Sequence, residues 1–169
     1  YEAIQESPER RVALKVIKAG QINDAGLARF RFEAQVLGRL QHPNIAQIYE
    51  AGTHETPEGP VPFFAMEYVP GALPITVYAE RHHLDLQTRV TLFMQVCDAV
   101  HHAHQKAVIH RDLKPDNILV TGQGRPKIID FGVARAADSD LAIATMRTSI
   151  GQIIGTLQYM RPEQCAADP

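Results

Sequence analysis

The sharpest pattern near the start of the chain is a strict alternation. In "RRVALKVIKAG" (residues 10–20), Val12, Leu14 and Val16 fall on one side and Ala13, Lys15 and Ile17 on the other, which is the period of a β-strand. A lysine therefore shares a face with small and apolar side chains. After the Gly20 turn, Asn23 or Asp24 is placed to cap a helix over roughly 25–40. Phe30, Ala34 and Leu37 form its apolar stripe, and Glu33 lies on that same stripe. A carboxylate there is costly unless it is paired. The pattern then predicts a strand over 44–51, a loop through "THETPEGPVP", and a second apolar strand over 63–69 closed by Pro-Gly.

From Pro74 the period turns helical. Val90, Phe93, Val96 with Cys97, Val100 and His104 mark the apolar face of a helix over 87–106. A charged stretch, "IHRDLKPDN" (109–117), follows, then the short strand "ILV", the turn "TGQGRP" and the strand "KII" ending at "DFG" (130–132). Gly122 and Gly124 join two strands and open no helix, so they read as a hairpin turn and not a phosphate cradle. Residues 133–163 are rich in Ala, Thr and Ser with weak periodicity, which suits a functional loop better than a core element. The order is β-rich first and helical later, with a hinge at "VPGALP" (69–74) and no internal repeat.

Composition narrows the function classes. The chain has 169 residues, 45% hydrophobic and 21% charged, with a net charge of −2, an ordinary globular profile with room for two small lobes. Without a basic excess there is no means of neutralising phosphates along a nucleic acid or a membrane surface, and neither partner is expected. Cys97 and Cys165 stand far apart with no C-x-x-C pair, so a reduced, cytoplasmic setting is expected and a disulfide framework is not. No apolar run is long enough to span a bilayer, and "YEAIQESPERR" is no signal peptide. The chain opens in strand character and stops at "CAADP" without a cap, so it reads as a segment of something longer.

Three stretches carry the chemistry together: "VALK" (12–15), "HRDLKPDN" (110–117) and "DFG" (130–132). In order and spacing, over essentially the whole chain, they resemble the eukaryotic-type protein kinase family. "KPDN" looks like the serine/threonine class, and "GTLQYMRPEQ" like the bacterial members. The resemblance implies an α+β, two-lobed fold, with residues 1–69 in the small β-rich lobe and 70–169 in the first part of the helical lobe. It implies a transferase that uses ATP and Mg2+ to phosphorylate Ser and Thr hydroxyls of protein substrates.

Such a reaction asks little covalent chemistry of the protein. It needs cations on the phosphates, an in-line hydroxyl and compensation of developing charge. By resemblance, Lys15 meets the α- and β-phosphates, and Glu33 pairs with Lys15 and explains a carboxylate on an apolar stripe. Asp112 accepts the proton of the substrate hydroxyl, and Lys114 places its charge near the transferring group. Asn117 and Asp130 hold the metal through oxygen, the donor that Mg2+ prefers. Ala13 and Leu119 sandwich adenine, Met66 backs the pocket, and Glu67 and Val69 offer backbone hydrogen bonds. Leu37, Ile48, His110 and Phe131 form a stack linking the lobes. Arg111 points to control by a phosphate on the activation segment, with Thr145, Thr148 and Ser149 as acceptors, reached through self-association. Thr156 belongs to the substrate-facing loop. Asp116 stays unassigned.

Plainer readings exist for each residue alone: a strand lysine, a helix-surface glutamate, a charged turn. They do not explain why a second Asp-Phe-Gly turn follows a short hairpin. A pseudokinase scaffold is disfavoured because Lys15, Glu33, Asp112, Asn117 and Asp130 are all present. A small-molecule kinase is disfavoured by "HRDLKPDN" together with a long activation segment and "RPE". A zinc site among His101, His102, His104 and His110 lacks a completing Cys or carboxylate. Departures from the family pattern are the missing Gly-rich loop, the missing helices after "RPEQ", and Arg161 where a small residue is common. The segment alone is expected to be inactive, with the 90–104 helix partly bare.

Overall fold

The computed structural model describes residues 1–17, 24–131 and 159. Four antiparallel strands open the fold: β1 (Glu2–Glu6), β2 (Glu9–Val16), β3 (Ile48–Thr56) and β4 (Gly59–Glu67), in the order β1-β2-β4-β3. Helix α1 (Asp24–Gly38) crosses from β2 to β3. Its Phe30 is buried and packs its ring 4.8 Å from that of Phe64 on β4. Leu37 is buried in the same cluster, and Ala34 packs against it, so the stripe read from the sequence is the stripe that is covered.

The alternation in β2 holds, with a twist in its meaning. Val12 is buried but Val16 is exposed, while Ala13 packs on the core and Ile17 belongs to it. Both faces of β2 are thus partly covered: Val12 and Ile17 are buried, and Ala13, Leu14 and Lys15 are half-buried.

The stretch expected to be a loop, 53–62, is a hairpin. Thr53 pairs with Pro62 and Thr56 with Gly59, and β3 starts at Ile48 and not at residue 44. Proline is tolerated there for a geometric reason. The Pro62 carbonyl accepts from the Ile17 amide, just past the end of β2. Pro62 therefore enters the sheet as an acceptor, the backbone role a proline keeps.

After β4 come the two-residue strand β5 (Leu73–Pro74), α2 (Ile75–Arg81) and α3 (Leu86–Gln105). The Asp85 carboxylate caps α3 by accepting from the Thr88 amide at 2.8 Å, and the Thr88 side chain, with that amide second, lowers the pKa of Asp85. The face of α3 is corrected. Leu92, Val96, Ala99 and Ala103 are the buried residues, whereas Phe93 is 62% and Met94 64% exposed. Val90, Cys97 and His104 are exposed as well. Among the described residues no helix is long and apolar enough to cross a membrane.

A second sheet, β5-β6-β7, contains β6 (Ile118–Val120) and β7 (Pro126–Ile128). Gly124, at φ 76, closes the β6–β7 turn, a conformation glycine adopts without strain. The loop after α1 binds this sheet: Ile45 bridges Ile128, and the Asn44 side chain donates to the Pro126 carbonyl at 2.9 Å. The same loop reaches α3. The Asn44 amide donates to His42 Nδ1 at 3.1 Å, which leaves His42 Nε2 to donate to Asp98 at 3.2 Å.

Phe64, fully buried, joins α1 to the sheet. Phe64→Ala should lower unfolding stability by about 3–5 kcal/mol through lost burial and a cavity. Denaturant titration of the intact protein checks this; a loss under about 1 kcal/mol would mean that Phe64 is not central to the core.

Candidate active site

Strand period places the first site residues. Arg11, Ala13 and Lys15 share one face of β2, about 7 Å apart from one to the next. Ala13 and Lys15 lie opposite Met66 and Phe64 of β4. Met66 is buried and lines a small cavity with Leu37, Leu40, Ile45, Ala46, Ile48, Asp130 and Phe131. Three of the four stack residues expected from the sequence (Leu37, Ile48 and Phe131) thus line one cavity. The fourth, His110, packs its ring 4.7 Å from that of Phe131.

Lys15 departs from expectation. Its Nζ lies 3.0 Å from Asp130 Oδ1, so the ion pair of this lysine is with Asp130 and not with Glu33. Asp130 adopts a left-handed backbone, φ 62, which turns its carboxylate toward β2. Glu33 is half-buried on α1, its Oε2 shielded from solvent.

The 110–117 loop folds around Asn117, which a 3-10 turn (Pro115–Asn117) presents and which is buried. Its side-chain amide donates to the Asp112 carbonyl at 2.7 Å and to Asp112 Oδ2 at 3.2 Å. Lys114 Nζ lies 3.0 Å from the same Oδ2. Asp112 is thereby held by two donors. The Ile129 amide donates to the Asn117 carbonyl at 2.9 Å, so the Asp112–Asn117 loop and Asp130 are tied together. Arg111, at φ 68, shares the left-handed conformation of Asp130. Such backbone costs about 1–3 kcal/mol per residue and persists where its surroundings hold it.

The donor set suits a hard divalent cation. Asn117 uses its amide nitrogen on Asp112, leaving its carbonyl oxygen as an acceptor, and Asp130 supplies a carboxylate. Among the described residues no three His, Cys, Asp or Glu are grouped to hold a metal, so a cation here would take the rest of its shell from ligand oxygens.

The strand β4 runs into the segment that carries Glu67, Tyr68 and Val69. The Glu67 amide donates to the Gln47 carbonyl at 2.8 Å, so the group Glu67 can offer a ring is its carbonyl. Its side chain does something the sequence did not announce. The carboxylate accepts from Lys127 Nζ at 2.7 Å and from the Gln47 amide at 3.2 Å. Leu119 lies half-buried on β6, two residues beyond Asn117. Thr145, Thr148, Ser149 and Thr156 lie outside the described residues.

His110 is buried, and its Nε2 donates to the Ile129 carbonyl at 2.9 Å. Burial holds its pKa below the usual histidine value, against the raising effect of the Ile129 contact and of Asp112 and Asp130. The folded state therefore binds fewer protons than the unfolded chain as pH drops below about 6.5. Stability from the neutral ring is complete above that pH and is lost as pH falls toward the depressed value. Unfolding stability should decline between pH 7.5 and 5.5, and His110→Leu should flatten that decline. Parallel pH profiles for the two proteins would refute the assignment.

The model of the protein kinase domain fits residues 1–168. Among curated proteins, the serine/threonine-protein kinase PknB of Mycobacterium leprae is 39% identical over 160 residues, covering 94% of this chain and 25% of that protein. PknB of Mycobacterium tuberculosis is 38% identical over 161 residues, with the same coverage. A probable PknB of Bifidobacterium longum is 37% identical over 165 residues, covering 94% of this chain and 24% of that protein. The chain spans about a quarter of the length of these relatives. A match of the protein kinase domain over 168 of the 169 residues, with relatives 37–39% identical along 94% of the chain, shows that this chain belongs to the protein kinase domain family.

Proposed function

We propose that the protein of which this chain forms part is a serine/threonine protein kinase that transfers the γ-phosphoryl group of ATP to protein hydroxyls. The observation that carries the reading is the joining of two clusters. Lys15 and Asp130 form one, Asp112, Lys114 and Asn117 the other, and the Ile129–Asn117 hydrogen bond holds them together.

Asp112 accepts the proton of the incoming hydroxyl, and the Lys114 and Asn117 donors orient its carboxylate. Lys15 supplies positive charge to the α- and β-phosphates across the cleft, where a half-buried ammonium acts more strongly than one in bulk water. Asn117 and Asp130 would hold Mg2+, which neutralises phosphate charge as the transferring bond loosens. Adenine sits between Ala13 and Leu119 with Met66 behind. The Glu67 carbonyl and the Val69 amide present an acceptor and a donor two residues apart, matching the amine and neighbouring ring nitrogen of adenine. Arg111 receives the phosphate of a modified Thr145, Thr148 or Ser149, which makes the enzyme self-activating.

Incubating the full-length protein with radiolabelled ATP and a generic protein substrate tests this. Asp112→Ala should cut incorporation by at least about 10²-fold with folding retained; equal incorporation in both proteins refutes the reading. Phosphopeptide mapping of the active protein should find at least one of Thr145, Thr148 and Ser149 modified, and finding none would remove the self-activation step.

A further inference from the structure

Arg11 stands two residues before Ala13 on the same face of β2, is exposed, and has no role in the chemistry above. Its surroundings are specific. Arg11 Nε donates to Glu2 Oε1 at 2.7 Å, and its terminal nitrogen pairs with the same oxygen. The guanidinium carbon lies 4.9 Å from the centroid of the Tyr68 ring, within cation–π range. Glu2 stands directly opposite Ala13 across the β1–β2 ladder. Three segments therefore meet at one point: β1, β2, and the connector after β4 that bears Glu67 and Val69.

We propose that Glu2, Arg11 and Tyr68 form a clamp that positions the adenine-binding connector against the β1–β2 hairpin, with Tyr68 and Arg11 as positioning residues for the nucleotide. The proposal rests on the kinase reading above. The order along the β2 face supports it: Lys15 at the phosphate end, Ala13 over the ring, and Arg11 one step further out. Neighbouring side chains of the connector are anchored on opposite sides. Glu67 is held by Lys127 and the Gln47 amide, and Tyr68 by Arg11, which Glu2 in turn holds. Fixing both sides sets the spacing between the Ala13 roof and the Glu67 and Val69 backbone groups. The pKa of Glu2 is lowered and that of Arg11 raised, each mainly by its hydrogen bond to the other.

The clamp acts on nucleotide binding, so its signature is a split between KM and kcat. In the full-length protein, Arg11→Met and Tyr68→Ala should each raise KM for ATP about two- to five-fold, the scale of an exposed cation–π contact and surface ion pair. The change in kcat should be smaller than the change in KM for ATP, and KM for a peptide substrate should stay within about 1.5-fold, since neither residue lies at the Asp112 loop. Arg11→Lys should recover most of the loss by restoring a cation over the ring. Tyr68→Phe, which keeps the ring, should have the smaller effect of the two Tyr68 changes. Titration of the same proteins with the fluorescent analogue mant-ATP should show the same ordering in Kd.

Unchanged KM and Kd in both Arg11→Met and Tyr68→Ala would overturn the clamp. So would a fall in kcat with KM for ATP unaltered, or an equal loss in Arg11→Lys and Arg11→Met. If the unaltered protein binds mant-ATP but transfers no phosphate, the kinase reading fails, while the ordering of Kd values still decides the clamp.

Discussion

The segment from Asn44 to Ala46 is hydrogen-bonded along β7 as though it were one more strand, and the placement of Asp130 follows from that pairing. The Ala46 amide donates to the Ile128 carbonyl and the Ile128 amide to the Asn44 carbonyl, each at 2.8 Å. The Lys127–Glu67 ion pair closes the same junction from the side. Asp130 lies two residues past Ile128, and the pairing therefore fixes its height relative to Lys15 on the other sheet. Each of these bonds is modest alone, about 0.5–1.5 kcal/mol net. Breaking them would leave buried backbone groups unsatisfied, which costs more than the bonds contribute.

On this frame the site includes irregular backbone. Of the four non-glycine residues with left-handed backbone among the described residues, Arg111 and Asp130 lie at the site, while His83 and Ala107 follow the ends of α2 and α3. His110, next to Arg111 in the chain, is a buried ring tied to the Ile129 carbonyl and tilted against Phe131. A charged ring would lose solvation there, so the packing of the stack and the protonation of His110 are one property. Asp112 is oriented by Lys114 and Asn117 from within its own loop, whereas Asp130 is oriented from the opposite sheet. The two carboxylates are thus set by different parts of the fold and must be brought into register by the junction.

Several features were legible from residue order alone because they rest on local periodicity. The two-residue period of β2 placed Ala13, Lys15 and Ile17 on one face, and the 3.6-residue period placed Phe30, Ala34 and Leu37 on the stripe that α1 buries. Where two local patterns competed, periodicity could not arbitrate. Helix α3 carries apolar residues on two stripes, and Leu92, Val96, Ala99 and Ala103 are the ones covered, while Phe93 and Met94 face outward. The small alanines of the buried stripe give a weak sequence signal, yet they are what lets the helix approach its neighbours closely. In the 53–62 hairpin, proline and glycine suggested a loop, because whether a proline carbonyl meets a partner amide depends on where β2 ends.

What the sequence determined by itself is the set of groups and their order along the chain: the lysine on a strand face shared with Ala13, the Asp112–Asn117 spacing, the turn at Asp130 and the hairpin between them. These are short-range facts, set by side-chain period and turn chemistry. Only the tertiary structure decided which groups meet. Lys15 is partnered by Asp130 and not Glu33, the Glu67 side chain turns to Lys127, and Arg11 comes to rest on Tyr68. Each pair is separated by tens of residues, and its contact depends on how one sheet is set against another, which no local pattern encodes.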